Sequence, residues 1–309
     1  MRRLGWVFCV PLLLSCDSSD GARAPRDAAV KDAGDAADVK DAGDAAAVKD
    51  AGDASNAKDA AAKDAGDEDS GDASDAEDAG SDANKDAGMP PRPPSRVQVF
   101  SRTLGYRHES IGDAQTALME IAKHTPLVLE FTEDAAQFTS KLANTDVVVF
   151  LMTSGDVLDN AQQTTFEAFI RNGGGYVGVH SAADTEYDWP FYGELAGAWF
   201  NDHPAIQPAS VVLEAKTDPI VSFLPETWMR TDEWYNFRAN PRSQVTVLLR
   251  LDESSYTGGT MGADHPIAWT HAVDKGRAFY TGLGHTKESW QEPMYLLHIE
   301  RALLWAAKR

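Results

Sequence analysis

Cysteine is nearly absent from this chain. Of 309 residues only Cys9 and Cys16 are cysteines. Beyond residue 16 the chain therefore has no disulfide, no thiolate metal ligand and no cysteine nucleophile. Positive charge is also scarce. Lys and Arg number 28 against 48 Asp and Glu, a formal net charge of −20, which argues against nucleic acid and anionic membrane surfaces as partners. After the first fourteen residues no apolar run is long enough for a transmembrane helix.

What is present at the N-terminus reads as a targeting segment. Met1-Arg2-Arg3 is a basic start, and 4–14 is an apolar stretch too short to span a bilayer. Leu13-Leu14-Ser15-Cys16 resembles the lipobox of bacterial lipoproteins. That resemblance implies cleavage before Cys16, lipidation of its thiol, export, and anchoring in the cell envelope. The alternative is an ordinary secretory signal. Inner and outer membrane are both open.

Residues 16–95 follow as an acidic tether. Lys-Asp-Ala begins at 31, 40, 49 and 58 and returns at 63. Repeated glycines at 34, 43, 52 and 66 interrupt any helix that the alanines favour. From 17 to 95 there are 9 basic and 21 acidic residues and no apolar stripe. Such a composition predicts a disordered, extended segment. A calcium-binding repeat is the sharper reading of Asp-Ala-Gly-Asp. It lacks the alternating apolar residue that a parallel β-helix needs. Met89-Pro90-Pro91-Arg92-Pro93-Pro94 closes the tether as a stiff spacer.

Residues 96–309 have ordinary globular composition and enough length for one domain with a sizeable core. Hydrophobic periodicity predicts strands at 97–100, 127–131, 147–151 and 176–179. Helices at 109–124, 135–142 and 159–172 alternate with them. Ile111, Leu118 and Ile121 form the inward face of the first helix. The apolar run 147–151 predicts a strand buried on both faces. This alternation predicts a flavodoxin-like, three-layer α/β sandwich with a mostly parallel sheet. After residue 200 helices become scarce. Strands are expected at 210–214, 229–237, 245–251, 267–272 and 277–282, some of them antiparallel. A closing helix at 294–307 carries Leu297, Leu304 and Trp305 on its apolar face.

The centre of the pattern is Gly173-Gly174-Gly175-Tyr176-Val177-Gly178-Val179-His180-Ser181-Ala182-Ala183-Asp184. The glycines end a helix, a short strand follows, and His180 stands where the strand stops. In an open α/β sheet ligands bind at the carboxyl ends of strands. His180 therefore sits where a nucleophile elbow would present its reactive residue. The competing reading is a histidine satisfied by hydrogen bonds beneath a loop.

Several motifs occur in one order: Gly105-Tyr106-Arg107-His108-Glu109-Ser110-Ile111, Ser154-Gly155-Asp156, the 174–184 stretch and Trp189-Pro190-Phe191-Tyr192. His203-Pro204, Asp232-Glu233-Trp234-Tyr235, the glycine-rich run 258–266 and Gly284-His285-Thr286 follow. Together they resemble the ThuA-like, trehalose-utilisation family of the class I glutamine amidotransferase-like superfamily. The resemblance covers nearly all of 96–309 and implies a flavodoxin-like core and a role in carbohydrate utilisation. One departure from the amidotransferases matters. Their cysteine nucleophile is replaced by His180, which removes thiolate glutaminase chemistry. Ser181 beside it reads either as a serine nucleophile or as a small residue capping the turn.

Five motif loops each carry a histidine, and carboxylates at 184, 232, 233 and 264 lie beside them. His180, Asp184, Glu233 and His285 are the candidate catalytic residues. His108, His203, Trp234, Tyr235, Asp264 and His265 are the candidates for substrate binding. His124, His271 and His298 read as structural. Such a cluster fits a divalent metal such as zinc, general acid–base chemistry, or an internal hydrogen-bond network. Trp234 and Tyr235 are expected to line a pocket, because aromatic faces stack on sugars. Trp199 and Trp269 are expected in the core. The resulting expectation is a carbohydrate ligand and keto-sugar or sugar processing. A non-catalytic glycan-binding or scaffold module is the rival.

Overall fold

Two kinds of strand divide the sheet of this protein. β3 (Val147–Leu151) and β4 (Gly175–Val179) are buried at every position. β6 (Gln207–Leu213) and β7 (Thr227–Asp232) alternate between buried and more exposed positions. The first kind is covered on both faces, the second on one. The computed structural model describes residues 92–309. The leader, Cys16 and the tether through residue 91 lie outside the described residues. Among the described residues no helix is long and apolar enough to cross a membrane.

The N-terminal half alternates as expected. β1 (Ser95–Phe100), β2 (Leu127–Thr132), β3 and β4 are joined by α1 (Ile111–Ala122), α2 (Ala135–Lys141) and α3 (Asn160–Arg171). Ile111, Leu118 and Ile121 are buried on α1. Asp159 and Gln162 form a capping box at the start of α3, satisfying backbone groups the helix leaves open. Gly173, at φ +114°, carries the chain out of α3 through a conformation costly for other residues. Phe100 stacks on Phe138 and Phe150 on Phe166, with ring centroids 4.5 and 5.1 Å apart. Each buried ring of this size contributes about 1.5–3 kcal/mol.

The C-terminal half adds β9 (Thr246–Asp252), β10 (His265–Val273) and β11 (Gly276–Thr281). The nine strands lie in the order β2-β1-β3-β4-β11-β10-β9-β6-β7. β2, β1, β3, β4 and β11 are mutually parallel. From β11 outward every pairing is antiparallel. Direction therefore alternates, and β9 and β7 run the same way as β11. The carboxyl end of β7 consequently emerges on the same edge as those of β1, β4 and β11, and there the candidate residues can meet.

Three features depart from the periodicity. The strand expected at 229–237 breaks after Asp232 and resumes as β8 (Asn236–Phe237). The Glu233 N–H donates to the Asp232 carboxylate at 3.0 Å, a local bond that competes with the ladder. β8 pairs with β5 (Phe200–Asp202) as a separate two-stranded ribbon. The motif at 189–192 starts α4 (Pro190–Ala196), with proline in the first turn. On α5 (Pro293–Ala306) the buried seam is Tyr295, His298, Ile299, Ala302, Leu303 and Ala306. Leu297, Leu304 and Trp305 are half-buried flanks. Small Ala302 and Ala306 let this face lie close against β4 and β11.

Candidate functional site

His180 directly follows β4 with φ +51°, a left-handed conformation uncommon for residues other than glycine. The next residues tighten into a 3-10 turn, His180–Asp184. The Tyr280 hydroxyl donates to the His180 carbonyl at 2.8 Å, and the Tyr192 hydroxyl donates to Ala182 at 2.7 Å. Buried tyrosines thus hold a strained exit from the strand. The ring of Tyr235 covers His180, with centroids 4.2 Å apart.

The His180 imidazole is fixed at both ends. Its Nδ1 lies 2.9 Å from the Gly282 carbonyl. A carbonyl only accepts, so Nδ1 carries the hydrogen and Nε2 holds the lone pair in the neutral ring. Nε2 lies 3.1 Å from His285 Nδ1 and 3.3 Å from Glu233 Oε2. His285 Nδ1 is 3.0 Å from the same oxygen. His108 meets both rings edge-on, with centroids 4.8 Å from each. Its Nδ1 is 3.3 Å from Ser181 Oγ, so its Nε2 is the nitrogen without that partner. His108, His180, Glu233 and His285 bring their ligand-type atoms within 4.8 Å of one another. Three imidazoles and a carboxylate form a donor set that a transition metal accepts.

Burial by itself would raise the Glu233 carboxyl. The neighbouring His180 and His285 imidazoles, in their protonated forms, outweigh that and hold it below the ordinary carboxylate range. Desolvation, reinforced by the neighbouring imidazoles, pushes His108 down to about 2, so that ring stays neutral. The other Glu233 oxygen, Oε1, faces His203 Nδ1 at 3.1 Å. That nitrogen is also 2.9 Å from the Pro204 carbonyl. Two acceptors on one nitrogen fix its hydrogen there and leave the lone pair on Nε2.

A cavity of about 410 Å³ opens over this cluster. His108, His203, Glu233 and His285 line it, together with Asp184, Tyr235, Tyr106, Phe200 and Ile206. Burial raises the Asp184 carboxyl, with a hydrogen bond from Tyr187 working against it. His180 is fully buried beneath the lining and supports His285 and Glu233 from below.

The profile of the trehalose-utilisation family, ThuA, matches residues 96–306. The chain belongs to the ThuA family. Its membership associates it with carbohydrate, trehalose, utilisation. A ThuA-like protein from Bacteroides uniformis superposes with a TM-score of 0.60 at 25% identity, covering 71% of this chain and 94% of the other. A ThuA-like protein from Parabacteroides merdae gives 0.60 at 20% identity, covering 70% and 90%. No curated protein matches the sequence.

Within this ThuA domain the remaining candidates separate clearly. Trp234 does not line the cavity. It is wholly buried, and its indole N–H donates to the Gln207 carbonyl at 2.8 Å. Alternation past the break after β7 turns Tyr235 toward the site and Trp234 into the core. His265 is also fully buried, held between Glu253 at 2.8 Å and the Tyr235 carbonyl at 2.9 Å. It braces the loop that carries Glu233 and does not touch the cavity. Asp264 pairs with Arg242 at the surface, which lowers its carboxyl, and it too stands outside the lining. Ser181 is buried and contacts His108, so it presents no nucleophile to the cavity.

Asp232 is the positioning residue that sequence reasoning left out of the site. The Gly284 and His285 N–H groups donate to its carboxylate at 2.8 and 3.0 Å. Buried Arg230 and Ser289 bond the same carboxylate at 3.1 and 3.2 Å. This cluster ties the end of β7 to the loop after β11. Gly284 sits there at φ +106°, and a Cβ would run into the Tyr295 hydroxyl. The signal was the adjacent pair Asp232-Glu233: two neighbouring carboxylates with opposite directions, one bracing and one lining.

Proposed function

We propose that this protein processes a sugar or keto-sugar by proton transfer between imidazole and carboxylate groups at the cavity over β4 and β11. The observation that carries this reading is the His203–Glu233 pair at 3.1 Å, opening on the cavity. Glu233 orients the His203 ring and stabilises its protonated form, while Nε2 holds the lone pair that takes a proton. A carbon beside a sugar carbonyl is acidic enough for such a base. The proton leaves carbon for His203 Nε2, the electron pair moves onto the carbonyl oxygen, and His285 and His108 lie where that oxygen is received. Asp184, its carboxyl raised by burial, supplies a second proton carrier on the same lining. Phe200 and Tyr106 offer ring surface for the C–H face of a sugar, with Tyr235 packed behind them between Phe200 and His180.

The decisive experiment incubates the full chain with disaccharides and their keto derivatives and identifies products by mass and NMR. Conversion of one class by the wild type, and its loss in His203→Gln, is the expected result. Saturable binding of a glycan with no conversion would replace this reading by a tethered glycan-binding module.

The same proposal places the domain outside the cytoplasm on a lipid anchor, supported by the basic, apolar leader ending in Leu13-Leu14-Ser15-Cys16. Cys16→Ala should release the protein from the detergent-extracted membrane fraction and remove the lipid mass. An unchanged distribution and mass would rule the anchor out.

A further inference from the structure

We propose that His108, His180, Glu233 and His285 bind one divalent transition-metal cation at the floor of the cavity. The substrate class it would serve rests on the reading above; the site itself rests on geometry.

His180 Nε2, His285 Nδ1 and Glu233 Oε2 form a triangle with sides of 3.0, 3.1 and 3.3 Å. Ligands about 2.0–2.1 Å from a tetrahedral zinc lie about 3.3 Å from one another, so the triangle has the size of one tetrahedral face. Protons do not satisfy it as well. A single proton on His285 serves one contact and leaves lone pairs facing each other across another. Protons on both imidazoles serve the carboxylate and bring two N–H groups together. A cation at the centre is attractive to all three atoms at once.

His108 supplies the fourth donor, with all four ligand-type atoms inside 4.8 Å. The outer contacts are those that hold metal ligands in place. His180 Nδ1–H donates to the Gly282 carbonyl, and His203 Nδ1–H donates to the Glu233 oxygen outside the triangle. Ser181 Oγ stands beside His108 Nδ1. Three imidazoles with one carboxylate favour zinc, cobalt, nickel or iron over magnesium and calcium. His108, Glu233 and His285 line the cavity, so an ion there would meet a sugar oxygen and polarise it. His203 is outside the ligand set and keeps its lone pair for proton transfer.

The test uses the full chain without a histidine tag, stripped by chelator and titrated with Zn²⁺ by calorimetry and with Co²⁺ by visible absorption. One Zn²⁺ equivalent is expected, together with cobalt ligand-field bands bleached by zinc. Glu233→Gln and His285→Gln, each checked for folding by circular dichroism, should weaken that equivalent by about tenfold or more. His124→Ala, a surface histidine paired with Glu300, should bind like the wild type. Absence of the equivalent, or equal affinity in whichever folded variant of Glu233 or His285 is obtained, overturns the site. Turnover that survives complete chelation overturns the ion's part in the reaction and leaves the sugar-processing reading standing. One bound equivalent with no conversion of any sugar does the reverse.

Discussion

The two halves of the sheet contribute to the site in different ways. The parallel half supplies His108, His180 and His285 from loops that directly follow β1, β4 and β11. Their meeting is a consequence of topology, because parallel strands end on one edge. The antiparallel half supplies Glu233 and His203 from beside the β5–β8 ribbon. Their position depends on side chains: Asp232 bonded to Arg230 and the His285 loop, and His265 held between Glu253 and Tyr235. A donor directly at a strand end, such as His180, is placed by the strand's own backbone hydrogen bonds. A donor on a wandering loop needs a buried polar network to place it, and such a network fails as a unit when one member is lost.

The strongest way to break this contrast is Asp232→Ala. It leaves Arg230, itself only 7% exposed, with Ser289 and a longer 3.5 Å pairing to Glu292, and frees the N–H groups of Gly284 and His285. Loss of one partner from a buried ion pair costs about 3–5 kcal/mol. Denaturant unfolding should show a drop of that size, along with lost turnover. A near-neutral result would mean that the two halves are not joined through this carboxylate.

His203→Gln sharpens the contrast at the wall. The side chain is 40% exposed, so removal of the imidazole should leave the melting temperature nearly unchanged. Turnover should fall by about 10²-fold or more, the usual contribution of a general base. Equal turnover in the variant would return the proton-transfer role to the floor.

The smallest effect at neutral pH concerns His298, under the junction of the halves on α5. Burial drives its pKa from 6.5 down to about 4, with the Ile220 carbonyl opposing. The folded form therefore favours the neutral ring. Its contribution to stability is present above the unfolded pKa and is lost as pH falls from about 6.5 toward 4. His298→Phe should lose less stability than the wild type between pH 7 and 4.5. Parallel losses in the two proteins would show that His298 is not what acid attacks.

The sequence alone determined the parallel half. Val147-Val148-Val149-Phe150-Leu151 is apolar at every position, and helices with readable starts alternate with such strands, so the layer architecture follows from burial period alone. It also placed His180 at a strand end, because a glycine run, two valines and a following run of small residues allow little else. It did not separate Tyr235 from Trp234, or His285 from His265. All four stand in polar motifs with similar local signals. Which one faces a cavity depends on where β7 breaks and on how the direction of successive strands alternates outward from β11. The ribbon that brings His203 to Glu233 likewise joins residues 200–202 to 236–237, a pairing with no local periodicity to announce it. Tertiary structure decided these points, because a side chain's direction at the end of an edge strand is set by partners distant in sequence: Asp232 accepting from Gly284 and His285, and His265 held by the Glu253 carboxylate and the Tyr235 carbonyl.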